Sequence, residues 1–281
     1  MTRSDRPQRS TGARQPDLAS ALAVAAALLV VIAAAERPLR VPVLVLLVVG
    51  LALARAYGGP RARAAVAAPL PVAVLLALAL VPEPTALGSG VDCGAIVPLR
   101  VVRRIVEAGA VLAATAVTWR VAGLSGAALR LGRPTAPVAA ASVAFFVVAV
   151  VVAVGLGPTL AEPFFGPVAL RAPGLLAVLP LLAGALANAV QEEVAYRGAW
   201  LGWDEIVLGP GLALLLQALA FGLAHGGSDF TGPQAPVILA VTAGGLVAGL
   251  IARRTGSLAI PIAAHAAADV PMILYAVCGS P

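Results

Sequence analysis

The sequence predicts an all-α fold: a polytopic transmembrane helical bundle of about eight or nine transmembrane helices. Of its 281 residues 60% are hydrophobic and only 11% charged, which no soluble domain of this size matches. The apolar residues fall in runs near the roughly 20 needed to cross a bilayer as a helix. The arginines gather where those runs end, whereas the adjacent carboxylates of Glu192 and Glu193 and both histidines of the chain, His225 and His265, lie inside them.

Taken in order, residues 1–17 are polar, Arg-rich and punctuated by proline and glycine, the composition of a disordered cytosolic tail. No small-residue cleavage site follows, so the first apolar run reads as a retained helix. Spans are predicted at 18–35, 41–56, 64–82, 101–119, 137–156, 174–203, 207–225, 235–252 and 258–278, the second of them short. Residues 18–156 form an N-terminal set of transmembrane helices in which Glu107, Thr115 and Thr118 are the few polar interruptions, read as hydrogen-bonding packing contacts. A Pro/Gly-rich connector up to residue 174 breaks helix propagation and leads to a core at 174–277.

Arginine placement gives the orientation. Arg3, Arg6, Arg9 and Arg14, then Arg55, Arg61 and Arg63, then Arg120, Arg130 and Arg133, then Arg253 and Arg254 share one side if every run spans. The positive-inside rule makes that side the cytosol, so a multi-pass protein of the cell membrane with a cytosolic N-terminus is expected. Arg100, Arg103 and Arg104 resist the pattern by falling on the other side. The formal charge of +6 forms no basic stripe interleaved with aromatics, so the bilayer is the expected partner and nucleic acid is not. Trp200 and Trp203, beside Asp204 and Glu205, read as an interfacial belt. Gly245 and Gly249 have small-xxx-small spacing and read as helix packing, and Cys93 and Cys278, both on the outer side, read as buried free thiols, with a disulfide between them the alternative that an oxidising compartment permits.

The chemistry gathers in the last third. A carboxylate at membrane depth costs several kcal/mol unless it faces protein or water, so Glu192 and Glu193 mark a site by default. Residues four apart share a helix face, which stacks Glu193 on Arg197 in the favourable acid-first order; Glu192 shares its own face with Asn188 and Tyr196. Arg197 neutralises one carboxylate and leaves the other free. His265 and Asp269 are again four apart. If the acidic helix ends near Trp203, Glu192 lies ~16 Å above the cytosolic end, with His225 at ~22 Å, His265 at ~10 Å and Asp269 at ~16 Å. Three helices then present an acid, two imidazoles and a further carboxylate near one level.

These residues resemble the CAAX-protease and bacteriocin-processing (CPBP, or Abi) family of intramembrane proteases, which includes the type II CAAX prenyl endopeptidases. Its Glu-Glu-x-x-x-Arg, Phe-x-x-x-His and His-x-x-x-Asn/Asp motifs read here as EEVAYR from Glu192 to Arg197, FGLAH from Phe221 to His225, and HAAAD from His265 to Asp269. The resemblance covers roughly residues 174–277 and implies a core like that of CAAX prenyl protease 2. It implies an endopeptidase that hydrolyses a peptide bond of a membrane-associated peptide or protein, with Glu192 as general base and His225 binding and polarising the water. His265 and Asp269 would take the oxyanion-stabilising positions, and Glu193, Arg197, Asn188, Tyr196 and Phe221 would support them. Asparagine is commoner at the last position, and an ionised aspartate cannot donate. Asp269 therefore either carries a proton or orients His265 while the imidazole donates. No cofactor or metal is expected, but other readings of the same residues stay open: a metal-dependent membrane protease, since Glu, His and Asp are competent zinc ligands, an ion-coupled transporter, or a non-catalytic scaffold or immunity protein.

Overall fold

The computed structural model describes residues 17–81, 93–156, 178–226 and 233–280, together with 159, 162, 164 and the pair 169–170. The expectations for the tail at 1–16 and for most of the connector lie outside the described residues. In chain order the helices are α1 (Leu18–Ala35), α2 (Arg40–Tyr57), α3 (Pro60–Ala67), α4 (Leu70–Leu78), α5 (Cys93–Ala122) and α6 (Ala136–Gly155). The core continues with α7 (Val178–Glu193), a π-helical stretch (Val194–Trp200), α8 (Leu201–Leu208), α9 (Pro210–Ala224), α10 (Gln234–Thr255) and α11 (Ala259–Cys278). Two residues at Ala169–Leu170 pair antiparallel with Gly279–Ser280 as β1 and β2.

The all-α bundle is therefore what the apolar runs demanded. Leu18–Ala35, Arg37–Tyr57, Pro60–Leu78, Val97–Ala122 and Gln234–Thr255 are each long and apolar enough to cross a membrane. Ala136–Val152, Pro210–Ala224 and Ala259–Tyr275 are shorter apolar helices beside them. The third predicted span is broken, because Pro69 and Pro71 deny helical donors and leave a turn at 68–69 between α3 and α4. The acidic helix runs on past Trp203 to Leu208, where Gly209 (φ 76°) and then Pro210 stop one helix and start the next. Val45, Leu53, Val102, Val106, Val147, Val151 and Leu239 are all more than half exposed, the outward apolar surface that a bilayer would cover.

Contacts between chain ends bear on the arginine pattern. Arg61 pairs with Asp17 at 3.2 Å and donates to the Val207 carbonyl at 3.2 Å, so α1, α3 and α8 bring these ends together. Asp17 also caps α1 by accepting from the Ser20 N–H and hydroxyl, each at 2.9 Å; those bonds, more than Arg61, hold its carboxyl below the usual range. Glu205 bridges Arg130 at 2.6 Å and Arg253 at 2.7 Å, which puts the turn before α6 and the end of α10 together. The cluster that resists the arginine pattern has a local partner. Glu107 is buried and binds Arg103 at 2.7 Å and Arg104 at 3.0 Å, so one carboxylate offsets one of these two positive charges within α5. Thr115 donates back to the Val111 carbonyl at 2.8 Å, the intrahelical bond expected of a threonine in lipid.

Two expectations are corrected. Trp200 and Trp203 form no interfacial belt: both are fully buried, and the Trp200 indole donates to Asp204 at 2.8 Å inside the bundle. Burial of so large an apolar ring against neighbouring helices outweighs its preference for the headgroup level. Cys278 is no free thiol but is disulfide-bonded, packed in a cluster with Val97 and Val101 at the start of α5; the Cys93 side chain lies outside the described residues.

The helices that carry the motifs are held by close packing. α11 lies against both α6 and α7, α7 against α5, and α9 against α10. Gly245 lets α9 approach: a Cβ there would meet the Ala218 Cα, Arg197 Nη2 and Phe221 Cδ1, each at 3.3 Å. The small-residue spacing is thus packing, as expected, and it also makes room for two site residues.

Candidate active site

α7 is apolar except on the strip that carries Asn188, Gln191, Glu192 and Glu193, and that strip turns inward. Glu193 and Arg197 are both 1% exposed and pair at 3.0 Å, the i,i+4 contact their spacing predicts. Arg197 also lies 4.0 Å from the Phe221 ring centroid and 5.8 Å from that of Tyr196, so its cation is shared between a carboxylate and two aromatic faces.

Beyond Glu193 the helix departs from α geometry, and residues 194–200 are π-helical. A π turn carries one residue more per hydrogen-bonded ring, at some cost in bonding, and needs outside support. It receives that support from the turn at 126–130. Arg130 Nη1 donates to the Arg197 carbonyl at 2.9 Å, and the Leu129 carbonyl lies 3.2 Å from where a Cβ on Gly198 would stand. A Cβ on Gly202 would collide with the Ala128 carbonyl, so only glycine lets the turn lie against the helix there.

α11 brings His265 between the carboxylates. Its Nδ1 lies 2.8 Å from Glu193 Oε1 and donates to it. Its Nε2 faces Glu192 Oε2 at 3.5 Å and Asp269 Oδ1 at 3.6 Å, ion-pair distances rather than hydrogen bonds. Asp269 is held from the other side, where the Asn188 amide donates to its Oδ2 at 2.9 Å. Gln191, fully buried, donates in turn to Asn188 Oδ1 at 3.0 Å. Three carboxylates thus meet one imidazole and one guanidinium, and the protons of such a cluster belong to the group rather than to single residues.

α9 ends on His225, whose Nδ1 donates to the Phe221 carbonyl at 2.7 Å, leaving Nε2 as the acceptor of the neutral ring. Phe221 stands edge-on to His225 at 4.8 Å and to His265 at 5.7 Å between centroids, and Tyr196 closes on it at 5.0 Å. Gly222 keeps α9 close to α10, because a Cβ there would strike the Thr242 hydroxyl.

Glu192, Glu193, Arg197, His265, Asp269 and Asn188 are therefore joined by direct polar contacts, and Phe221, Tyr196 and His225 join through ring contacts. The depths differ from those the sequence suggested. α11 starts next to Gly198, whose added Cβ would lie 3.5 Å from Leu258, and so begins part-way up the acidic helix; six residues later His265 reaches Glu193. Sequence reasoning missed Gln191, although a buried glutamine three residues from Asn188 on an otherwise apolar helix shares its face. Among the described residues, no group of three His, Cys, Asp or Glu side chains is arranged to hold a metal ion.

Residues 174–271 match the family described as type II CAAX prenyl endopeptidase Rce1-like. No curated protein and no solved structure matches the chain significantly.

Proposed function

We propose, from the premise that residues 174–271 belong to the type II CAAX prenyl endopeptidase Rce1-like family, that the chain is an intramembrane endopeptidase in which Glu192 activates the attacking water. The observation that carries this reading is the division of labour between the adjacent glutamates. Glu193 is spent on Arg197 and His265, at 3.0 and 2.8 Å, and is 1% exposed. Glu192 is 12% exposed and its nearest polar partner is His265 at 3.5 Å, so its carboxylate remains available to a water.

The reaction balances with this chain's own groups. Glu192 takes a proton from water while His225, an acceptor at Nε2, holds the other hydrogen, and the oxygen adds to the scissile carbonyl carbon. His265 carries protons on both nitrogens in this reading: Nδ1 holds Glu193, and Nε2 turns from the flanking carboxylates toward the oxyanion. Collapse of the tetrahedral adduct breaks the C–N bond, and Glu192 returns its proton to the leaving amine. Asp269 accepts the Asn188 amide on one oxygen and faces His265 with the other, which favours its orienting the imidazole over its donating a bond. The substrate is a membrane-associated peptide or protein.

The test compares protein termini in membranes of cells carrying the native chain or Glu192→Gln. Termini that vanish with the variant identify substrates; identical termini in both strains overturn the proposal. Repeating the comparison with purified protein and a strong chelator separates the water-activating carboxylate from a metal-dependent protease.

A further inference from the structure

A second polar centre lies at the arginine-rich end of the bundle, apart from the catalytic cluster. Arg130, Glu205, Leu250, Arg253 and Arg254 line a cavity of about 480 Å³. Glu205 engages Arg130 at 2.6 Å and Arg253 at 2.7 Å. Arg254, on the exposed rim, has no hydrogen-bond or ion-pair partner among the described residues. Three guanidinium groups stand against one carboxylate, an excess of two positive charges. The C-terminal ends of α8 and α10 each contribute about half a negative charge, which leaves the cavity positive by roughly one. A positive cavity bridged by Arg130, Glu205 and Arg253 suits an anion, and guanidinium forks match phosphate oxygens in pairs.

The surroundings narrow the class of anion. Leu250, 38% exposed, forms the apolar wall, and Val247 (56% exposed) and Leu239 (69% exposed) continue outward along α10. A ligand seated at the arginines would thus have its charged end in the cavity and aliphatic surface beside it along the helix. The positive-inside rule assigns this end to the cytosolic leaflet, where anionic lipids concentrate. The geometry points to a phosphate-binding site whose ligand is the headgroup of an anionic phospholipid.

The experiment titrates full-length protein in neutral micelles with phosphatidylglycerol or phosphatidylcholine and counts retained lipids by native mass spectrometry, for the native chain and for Arg254→Gln. Arg254 is exposed and unbonded, so its loss leaves the fold intact, and unchanged melting of the variant verifies that. The expected result is preferential retention of phosphatidylglycerol, weakened about fivefold by Arg254→Gln, the factor that one arginine facing an anionic surface contributes. A parallel arm adds inorganic phosphate alone. Binding of phosphate that depends on Arg254, with no preference between the two lipids, supports the phosphate site and assigns it a soluble ligand. Equal retention of both lipids together with no phosphate binding, or a preference that Arg254→Gln leaves unaltered, overturns the inference.

Discussion

Replacing each glutamate of the adjacent pair by glutamine separates catalysis from stability. Glu192→Gln keeps shape and volume and leaves the Glu193–Arg197 pair and the Glu193–His265 contact in place, so its effect on melting should be much smaller than that of Glu193→Gln. A general base contributes about 10²–10⁴ in rate, or about 3–5 kcal/mol of barrier, and turnover should fall by that factor. Glu193→Gln acts the other way. It removes the acid from a pair that is 1% exposed on both sides and held at 3.0 Å, leaving Arg197 buried beside neutral groups. Breaking such a pair from one side costs about 3–5 kcal/mol, which should appear as a large drop in melting temperature. The assay is thermal unfolding of purified protein in lipid nanodiscs alongside release of cleaved product from a substrate found by terminal proteomics. If Glu192→Gln keeps most of its turnover while Glu193→Gln melts like the native chain, the assignment of roles is wrong.

Replacing both partners, Glu193→Leu with Arg197→Met, should recover most of the stability lost by either change alone and recover no turnover, as read by the same two measurements. Gln191→Leu removes the amide that donates to Asn188 at 3.0 Å; turnover should drop about tenfold with a shifted pH profile while the fold persists, whereas Gln191→Glu, which can still bond when protonated, should recover activity at low pH. Gly222→Ala should push α9 off α10 and lower turnover by displacing Phe221 and His225, with Thr242→Ala on the same chain relieving only part of the defect in a double-mutant comparison, because the added Cβ still meets the Ile238 carbonyl at 2.7 Å. Cys278→Ser should cost about 2–5 kcal/mol of stability, visible as lower melting and as loss of the difference between reduced and unreduced native protein.

Much of this site could be read from the sequence because its logic is local. Glu193 with Arg197 and His265 with Asp269 are four-residue pairs on single helices, and helical periodicity alone brings each pair together. The charges were conspicuous because so few sit inside apolar runs. What stayed hidden depends on contacts between distant segments. The widened turn at 194–200 rests on Arg130 binding a carbonyl 67 residues away, and no periodicity announces it. The bond from Asn188 to Asp269 spans 81 residues, so the partner of each side chain could not be named beforehand. The tryptophans were misplaced for the same reason: their neighbours in sequence, Asp204 and Glu205, suggested a water boundary, but both rings are enclosed by other helices. The pairing of Glu107 with Arg103 and Arg104 is itself local, at spacings of four and three, and could have been read beside the packing role given to Glu107.

The wide turn between Glu193 and Trp200 has a geometric result for everything on either side of it. An ordinary helix advances each side chain by 100°, whereas the loosened coil here advances it by less, so residues above and below the segment are rotated out of phase. The upper rungs can aim their acids at α11 while the lower ones turn Trp200, Trp203 and Asp204 into the bundle, two orientations that one uninterrupted coil of the same sequence would not hold together. Removing a single residue from that segment would bring the two halves back into step, and Glu192 and Glu193 would then compete with the tryptophan anchor for the same side of the rod.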